Sequence, residues 1–274
     1  MKAYLHPDAQ HFLSHTELFR LKEIVRTNFI SSIANSVATG SRTYKESFWW
    51  SVTHEDEVVG IAIRTAPFGY VFSPMPEDAV KYLMEEILVK DSTALEFAGP
   101  KKVINQVERC IGRDALEDEG ELIYELKQLI EPETTGEIRL ARESDYKLIY
   151  SWVLEFVQET EIQAFNLESV VKTNIQKGLN YLLEIDGQVV SFGGFHTPIE
   201  ILGRKIGRVG PIFTPKEFRK NGYASLITSF ITRILINEGA IVTLYTQAEN
   251  PTSNKIYQNL GYLKIDENRR VKFN

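Results

Sequence analysis

The stretch Arg208-Val209-Gly210-Pro211-Ile212-Phe213-Thr214-Pro215-Lys216-Glu217-Phe218-Arg219-Lys220-Asn221-Gly222-Tyr223-Ala224 leads a strand through a basic loop into a long helix. In that helix Tyr223, Leu226, Ile227, Phe230, Ile231, Ile234 and Leu235 share one face, and Gly239 ends it. The first N–H groups of a helix have no intrahelical partner and the macrodipole adds positive charge there, so the loop is read as an anion site. Gly222 permits close approach of a phosphate, Ala224 keeps the first turn open, and Arg219 and Lys220 offer charge-assisted bonds. Pro211 cannot donate to a sheet ladder, so the strand is expected to part from the next one, Ile241 to Thr246. Backbone groups in that gap could pair with an amide-rich ligand as if it were another strand.

Outward from this stretch, Tyr181 to Ile185 and Gln188 to Phe192 flank Asp186-Gly187, a strong hairpin signal. A strand at Ile138 to Ala141 and helices from Ser144 and Leu167 precede it. After Ile241 to Thr246 come a short helix ending at Gly261 and two terminal strands, Tyr262 to Ile265 and Arg270 to Phe273. Upstream, Phe48 to Val52 and Val58 to Arg64 bracket an acidic turn, followed by Tyr70 to Ser73, a helix from Pro76 to Lys90 and a strand at Ala94 to Ala98. This echoes the later order and predicts a distant internal repeat. The polar run Glu131 to Glu137 is read as the linker.

The pattern Arg219-x-x-Gly222-x-Ala224 resembles the pyrophosphate loop of the GNAT superfamily of N-acetyltransferases. A second match follows in Asn250-Pro251-Thr252-Ser253, Tyr257 and Gly261-Tyr262, in the order and spacing of that family. The resemblance implies an α/β fold of two tandem GNAT-like domains, 1–130 and 137–274. Each would have a mixed, mostly antiparallel sheet flanked by helices, with a splayed central parallel pair. It implies acetyl-CoA as cofactor and N-acetyl transfer to a small-molecule or peptide amine by direct attack. Backbone amides of Ile212, Phe213 and Thr214 would hold the pantetheine arm, and Arg219, Lys220, Asn221, Gly222, Tyr223 and Ala224 the pyrophosphate. Asn250 and Ser253 would contact the cofactor arm, and Tyr257 would protonate the thiolate, its phenol pKa of about 10 suiting that task. Asn250-Pro251 is also an N-cap followed by Pro at N1. Many members carry a glutamate on the strand before the phosphate loop. Lys205 to Phe213 contains no carboxylate, which leaves Glu184, His196 and Glu200 as candidate bases.

The N-terminal half lacks such a loop: Pro74-Met75-Pro76-Glu77-Asp78 places prolines and acids where a phosphate would need N–H groups. That half is expected to bind no coenzyme A and to shape acceptor specificity. Trp49, Trp50 and Phe68 either line that groove or fill the core. Acceptor-shaping segments are expected at Glu155 to Lys177 and Thr197 to Arg204.

Composition bounds the alternatives. The 274 residues are 43% hydrophobic and 25% charged, an ordinary globular balance, and the net charge of −6 disfavours nonspecific nucleic-acid binding. The single Cys110 excludes an intramolecular disulfide and a multi-thiolate zinc site, so no metal is expected. No run reaches the roughly 18 apolar residues of a membrane helix and Met1 to Pro7 has no signal core, so the expected compartment is the cytoplasm. Two rival functions are a noncatalytic acyl-CoA sensor and an aminoacyl-tRNA-dependent transferase. Oligomeric state is not legible.

Overall fold

The computed structural model describes residues 1–161 and 166–274. A similar order of elements occurs twice along the chain, with one more helix after the first strand in the first pass. The first pass is β1 (Lys2–Leu5), α1 (Ala9–His15), α2 (Glu17–Lys22), α3 (Asn28–Ala38), β2 (Ser47–His54), β3 (Glu57–Thr65), β4 (Tyr70–Phe72), α4 (Glu77–Lys90), β5 (Glu96–Pro100), α5 (Lys101–Ile111) and β6 (Glu117–Leu126). The second is β7 (Glu137–Leu140), α6 (Tyr146–Thr160), α7 (Leu167–Gln176), β8 (Asn180–Ile185), β9 (Gln188–Ile201), β10 (Arg204–Phe213), α8 (Tyr223–Asn237), β11 (Ile241–Gln247), α9 (Pro251–Asn259) and β12 (Tyr262–Lys272).

Contacts divide the chain into two compact units that do not follow the linker. The first holds Met1–Ile123, Ile199–Ile206 and Lys264–Asn274, and the second Tyr124–Pro198 and Gly207–Leu263. The last strand of the second pass is thus a member of the first unit. It pairs there antiparallel with β5 from Asn268↔Pro100 to Lys272↔Glu96, burying Val271 and Phe273.

In the first unit β1, β2, β3 and β4 pair antiparallel in sequence order, and β4 pairs parallel with β5 at only Tyr70↔Phe97 and Val71↔Ala98. Strand alternation sends successive side chains to opposite faces. Trp49, Ile61 and Ile63 pack with Phe12 of α1 and Ile30 of α3, whereas Trp50, Ala62 and Phe72 pack with Val80 and Leu83 of α4 and Ile104 of α5. Both tryptophans are 2% exposed, so they are core and line no groove; Phe68 stands edge-on against Tyr44. Cys110 lies half-buried on α5, with its thiol pushed up by burial.

In the second unit the strand order is β11-β10-β9-β8-β7. The Asp186-Gly187 turn has both residues at positive φ and sets Ile185 opposite Gln188, as the hairpin signal predicts. One face is covered by α6 and α7, where Trp152, Val153, Val171 and Ile175 pack on Leu182, Phe192 and Phe213. On the other face a Cβ at Gly193 would fall 2.8 Å from both Ile212 of β10 and Ile231 of α8, so the absence of a side chain there admits the helix.

The C-terminus departs from expectation. The two predicted terminal strands are one, because the polar stretch that resembles a turn is held by ion pairs. Arg269 bonds Glu108 and Asp118, Lys101 bonds Glu267, and Arg26 bonds Asp266. Among the described residues no helix is long and apolar enough to cross a membrane.

Candidate functional site

The loop after β10 is built to stop a strand and open a helix. Pro215 precedes a single 3-10 turn at Lys216–Phe218, Arg219 is extended, and Lys220 and Gly222 take left-handed φ values of 69° and 78°. Asn221 fastens the turn by donating from Nδ2 to the carbonyls of Phe218 (3.2 Å) and Arg219 (3.3 Å). Gly222 is the N-cap of α8, and the first intrahelical bond runs from Leu226 N to its carbonyl at 3.1 Å. The N–H groups of Tyr223, Ala224 and Ser225 therefore precede the helical ladder, the requirement for an anion cradle.

A Cβ at Gly222 would lie 2.1 Å from Thr134 Oγ1, so the segment entering the second pass lies against the helix start. Glu131 fixes that segment further along α8 through Ser229 and Arg233.

Arg219 points into its own loop. Its Nε donates to the Thr214 carbonyl at 2.9 Å, its guanidinium lies 5.8 Å over the Phe213 ring, and its terminal nitrogen pairs with Glu159 at 2.6 Å. Thr214 is itself anchored: Ser191 Oγ donates to the Phe213 carbonyl at 3.0 Å and lies 2.9 Å from Thr214 Oγ1. The strand end carrying Ile212, Phe213 and Thr214 is thus rigidly tied, with Phe213 and Thr214 buried.

The residues on α9 form a second group. Asn250 Oδ1 accepts from Ser253 N at 3.0 Å, the capping bond expected of Asn-Pro, and Ser253 hydrogen-bonds the Tyr257 hydroxyl one turn on. The Tyr257 ring stands 6.3 Å from both Tyr124 and Tyr262, and the Tyr262 hydroxyl is 2.6 Å from Thr232 Oγ1. Burial pushes the Tyr257 phenol up to about 12, against the lowering effect of Ser253.

The end of α6, which sequence reading assigned to the acceptor rather than to the loops, links the two groups. Glu159 holds Arg219 in the loop after β10, and the adjacent Thr160 carbonyl accepts from Gln247 Nε2, at the end of β11, at 2.7 Å. The ends of two neighbouring strands therefore meet adjacent residues of one helix, which sets the loop before α8 and the loop before α9 on the same side of the sheet. No periodicity or motif marks a long-range pair of this kind. Glu155, Glu159 and Glu217, with Gln158 and Lys216, line a cleft of about 180 Å³ there.

The candidate bases have other surroundings. Glu184 is bonded to Arg139 at 2.6 Å, and Arg139 also grips Asp145 at 2.7 and 3.0 Å, an edge strut between β7, β8 and the start of α6. Glu200 belongs to the first unit. His196 is an exposed residue of β9. Of the expected acceptor-shaping segments, residues 162–165 lie outside the described residues, while Glu155 to Glu161 and Asn166 to Lys177 are the end of α6 and α7.

Comparison with known proteins fits this geometry. Residues 199–271, which contain both the loop and the α9 group, match the family model described as FR47-like protein. The fold is that of GNAT acetyltransferases. A GNAT-family acetyltransferase from Colwellia psychrerythraea superposes with a TM-score of 0.63 at 13% identity, covering 100% of both chains. A Drosophila protein gives 0.67 at 12% identity, covering 100% of this chain and 99% of its own. A GCN5-related N-acetyltransferase from Sphaerobacter thermophilus gives 0.59 at 14%, over 99% and 95%. No curated protein matches the sequence. The chain thus has the fold of the acetyltransferases, with a C-terminal region similar to the FR47-like proteins.

Proposed function

We propose that the protein is an acetyl-CoA-dependent N-acetyltransferase whose second pass, residues 137–274, binds the cofactor and transfers an acetyl group to a small-molecule or peptide amine. The observation that carries this reading is the left-handed Gly222 at the head of α8, beside a strand end whose Phe213 and Thr214 carbonyls are held by Ser191 and Arg219. The residues suit a pyrophosphate: three N–H groups ahead of the helical ladder and an exposed Lys220. Arg219 contributes by holding the loop in shape, since Thr214, Phe213 and Glu159 already occupy its guanidinium.

When bound, acetyl-CoA supplies a thioester carbonyl as the electrophile. The acceptor nitrogen attacks that carbon, the C–S bond breaks, the nitrogen gives up a proton and the sulfur takes one. No enzyme nucleophile is needed, and Cys110 lies in the first unit. Tyr257 would stabilise the departing thiolate. With burial holding its phenol up near 12, its part is a hydrogen bond to the developing thiolate, and the proton that completes the thiol is the one that leaves the acceptor nitrogen. The first pass, with Pro76 as N-cap and Glu77 and Asp78 in the first turn of α4, is hostile to an anion and takes no cofactor.

The test is calorimetric titration of acetyl-CoA into the full chain, with Gly222→Asp and Gly222→Ala as paired variants. Binding that the aspartate abolishes and the alanine only weakens supports a phosphate at this helix start. Absence of binding to the wild type refutes the proposal.

A further inference from the structure

We propose that the first unit holds a second small-molecule site, a cavity that binds a small zwitterion with its carboxylate on Arg20 and its cationic group on Glu17 and Glu200. The cavity is about 230 Å³ and is lined by Gln10, Glu17, Arg20, Ser31, Asn35 and Glu200 among others. It lies below the roughly 300–1,000 Å³ of drug-sized sites, and its lining is mostly polar, which suits a compact charged ligand.

The anchor is Arg20. It is 5% exposed, and its three acceptors among the described residues are all neutral oxygens: Thr16 Oγ1 from Nε at 3.0 Å, the Leu13 carbonyl at 2.6 Å and Ser31 Oγ at 3.5 Å. A guanidinium has five N–H donors in a planar fork. One of these three bonds sits at the limit of hydrogen-bond length, and each terminal nitrogen keeps one further N–H with which to meet a carboxylate. A buried charge without an opposite charge bonded to it is costly, and a ligand anion would remove that cost. Burial lowers Arg20 to about 10, which still leaves it charged at neutral pH.

The fork is pre-organised. Thr16, fully buried, donates to the Phe12 carbonyl at 2.7 Å and so presents its lone pair to Nε, and Ser31 is 1% exposed. The carboxylates explain why a plain anion is the wrong ligand. Glu17, half-buried at the head of α2, is the residue whose charge acts on Arg20, and Glu200 stands on the β9–β10 hairpin tip that belongs to this unit. A ligand of one sign would be repelled by one wall or the other. A molecule with a carboxylate and a cationic nitrogen a few bonds apart meets both.

The test of this site uses no coenzyme. The full chain would be titrated calorimetrically with glycine, trimethylglycine, 4-aminobutyrate and glutamate, and with acetate and ethylamine as single-charge halves. Trimethylglycine has no N–H to acylate, so its binding reports a site rather than an acceptor. The expected result is saturable binding of at least one zwitterion, about tenfold or more tighter than acetate or ethylamine. Glu17→Gln, which leaves the Arg20 bonds in place, should weaken it by about tenfold, Arg20→Lys should abolish it, and Gly222→Asp should leave it unchanged. The proposal fails if no zwitterion saturates the protein, if acetate binds as well as the zwitterions, or if binding survives Glu17→Gln undiminished. Because Arg20→Lys could unsettle the helices, the Glu17→Gln titration is the deciding one.

Discussion

Replacing Gly222 with alanine tests the loop as a physical object before any activity is known. At φ +78° the left-handed conformation costs an L-residue about 1–2 kcal/mol. The new Cβ would also stand 2.1 Å from Thr134 Oγ1 and 3.2 Å from Thr134 Cβ. The obstacle is the tip of a side chain, so Thr134 can turn to another rotamer at a further cost of about 0.5–1.5 kcal/mol. Gly222→Ala should therefore destabilise by about 2 kcal/mol. Thr134→Ala in the same chain should return the rotamer part and leave the backbone part, a coupling of about 1 kcal/mol in a double-mutant cycle. Gly261 is the comparison: at φ +91° its Cβ would sit 1.8 Å from the Gln128 carbonyl oxygen, backbone that cannot rotate away, so Gly261→Ala should cost more than Gly222→Ala. Urea unfolding followed by circular dichroism measures every variant, with constant m-values as the check that the transitions are comparable. The reasoning is refuted by a Gly222→Ala protein within about 0.5 kcal/mol of wild type, the range of an ordinary surface change, or by an equal cost of Gly222→Ala with and without Thr134→Ala.

Further outcomes follow from the same structure. Tyr257→Phe should lower kcat with any amine that is turned over, by about the hundredfold of a lost hydrogen-bond donor to developing charge. Since the phenol lies near 12, no alkaline limb below that region should be traced to Tyr257 in a pH–rate profile. His6 is buried against Ser51, and its pKa is lowered to about 4 by burial and by the charges of His15 and His11, with Asp8 opposing. A base depressed in the folded state contributes stability fully above the ordinary 6.5. That contribution declines as pH falls from 6.5 towards 4, by about 3 kcal/mol in all, and His6→Asn should flatten the acid limb of the urea midpoint against pH. Deleting Lys264–Asn274 should unfold the first unit, because β5 loses its antiparallel partner and keeps only the short parallel pairing with β4, and Val271 and Phe273, worth about 1.5–3 kcal/mol each by burial, leave the core; loss of its hydrogen-exchange protection is the readout. Arg139→Ala should free Glu184 and Asp145 and raise the Asp145 pKa from its lowered value, observable by carboxyl NMR titration.

Much of the local structure was legible because it is decided by near neighbours in the chain. The Asp186-Gly187 turn, the glycine stop after α8, the Asn250-Pro251 cap and the strand through Phe48 to Val52 all depend on residues within a few positions, where dihedral preference and side-chain period act. The order of elements, and its repetition, follow from such signals taken in sequence. The motif from Arg219 to Ala224 likewise marks a strand, a loop and a helix start.

Only the tertiary structure decided what those elements do to one another. Residues 264–274 read as the end of the second pass, yet they complete the first unit, because the choice of strand partner rests on ladders and ion pairs to residues about 150 positions away. Arg219 reads as a phosphate ligand, and its guanidinium also pairs with Glu159, sixty residues earlier. Glu184 reads as a free carboxylate, yet Arg139 has taken it. The buried Arg20 beside its cavity has no sequence signal at all, since burial is a property of packing. Short-range geometry wrote the helices, strands and turns into the sequence; pairings distant along the chain decided which charges hold the structure together and which face a ligand.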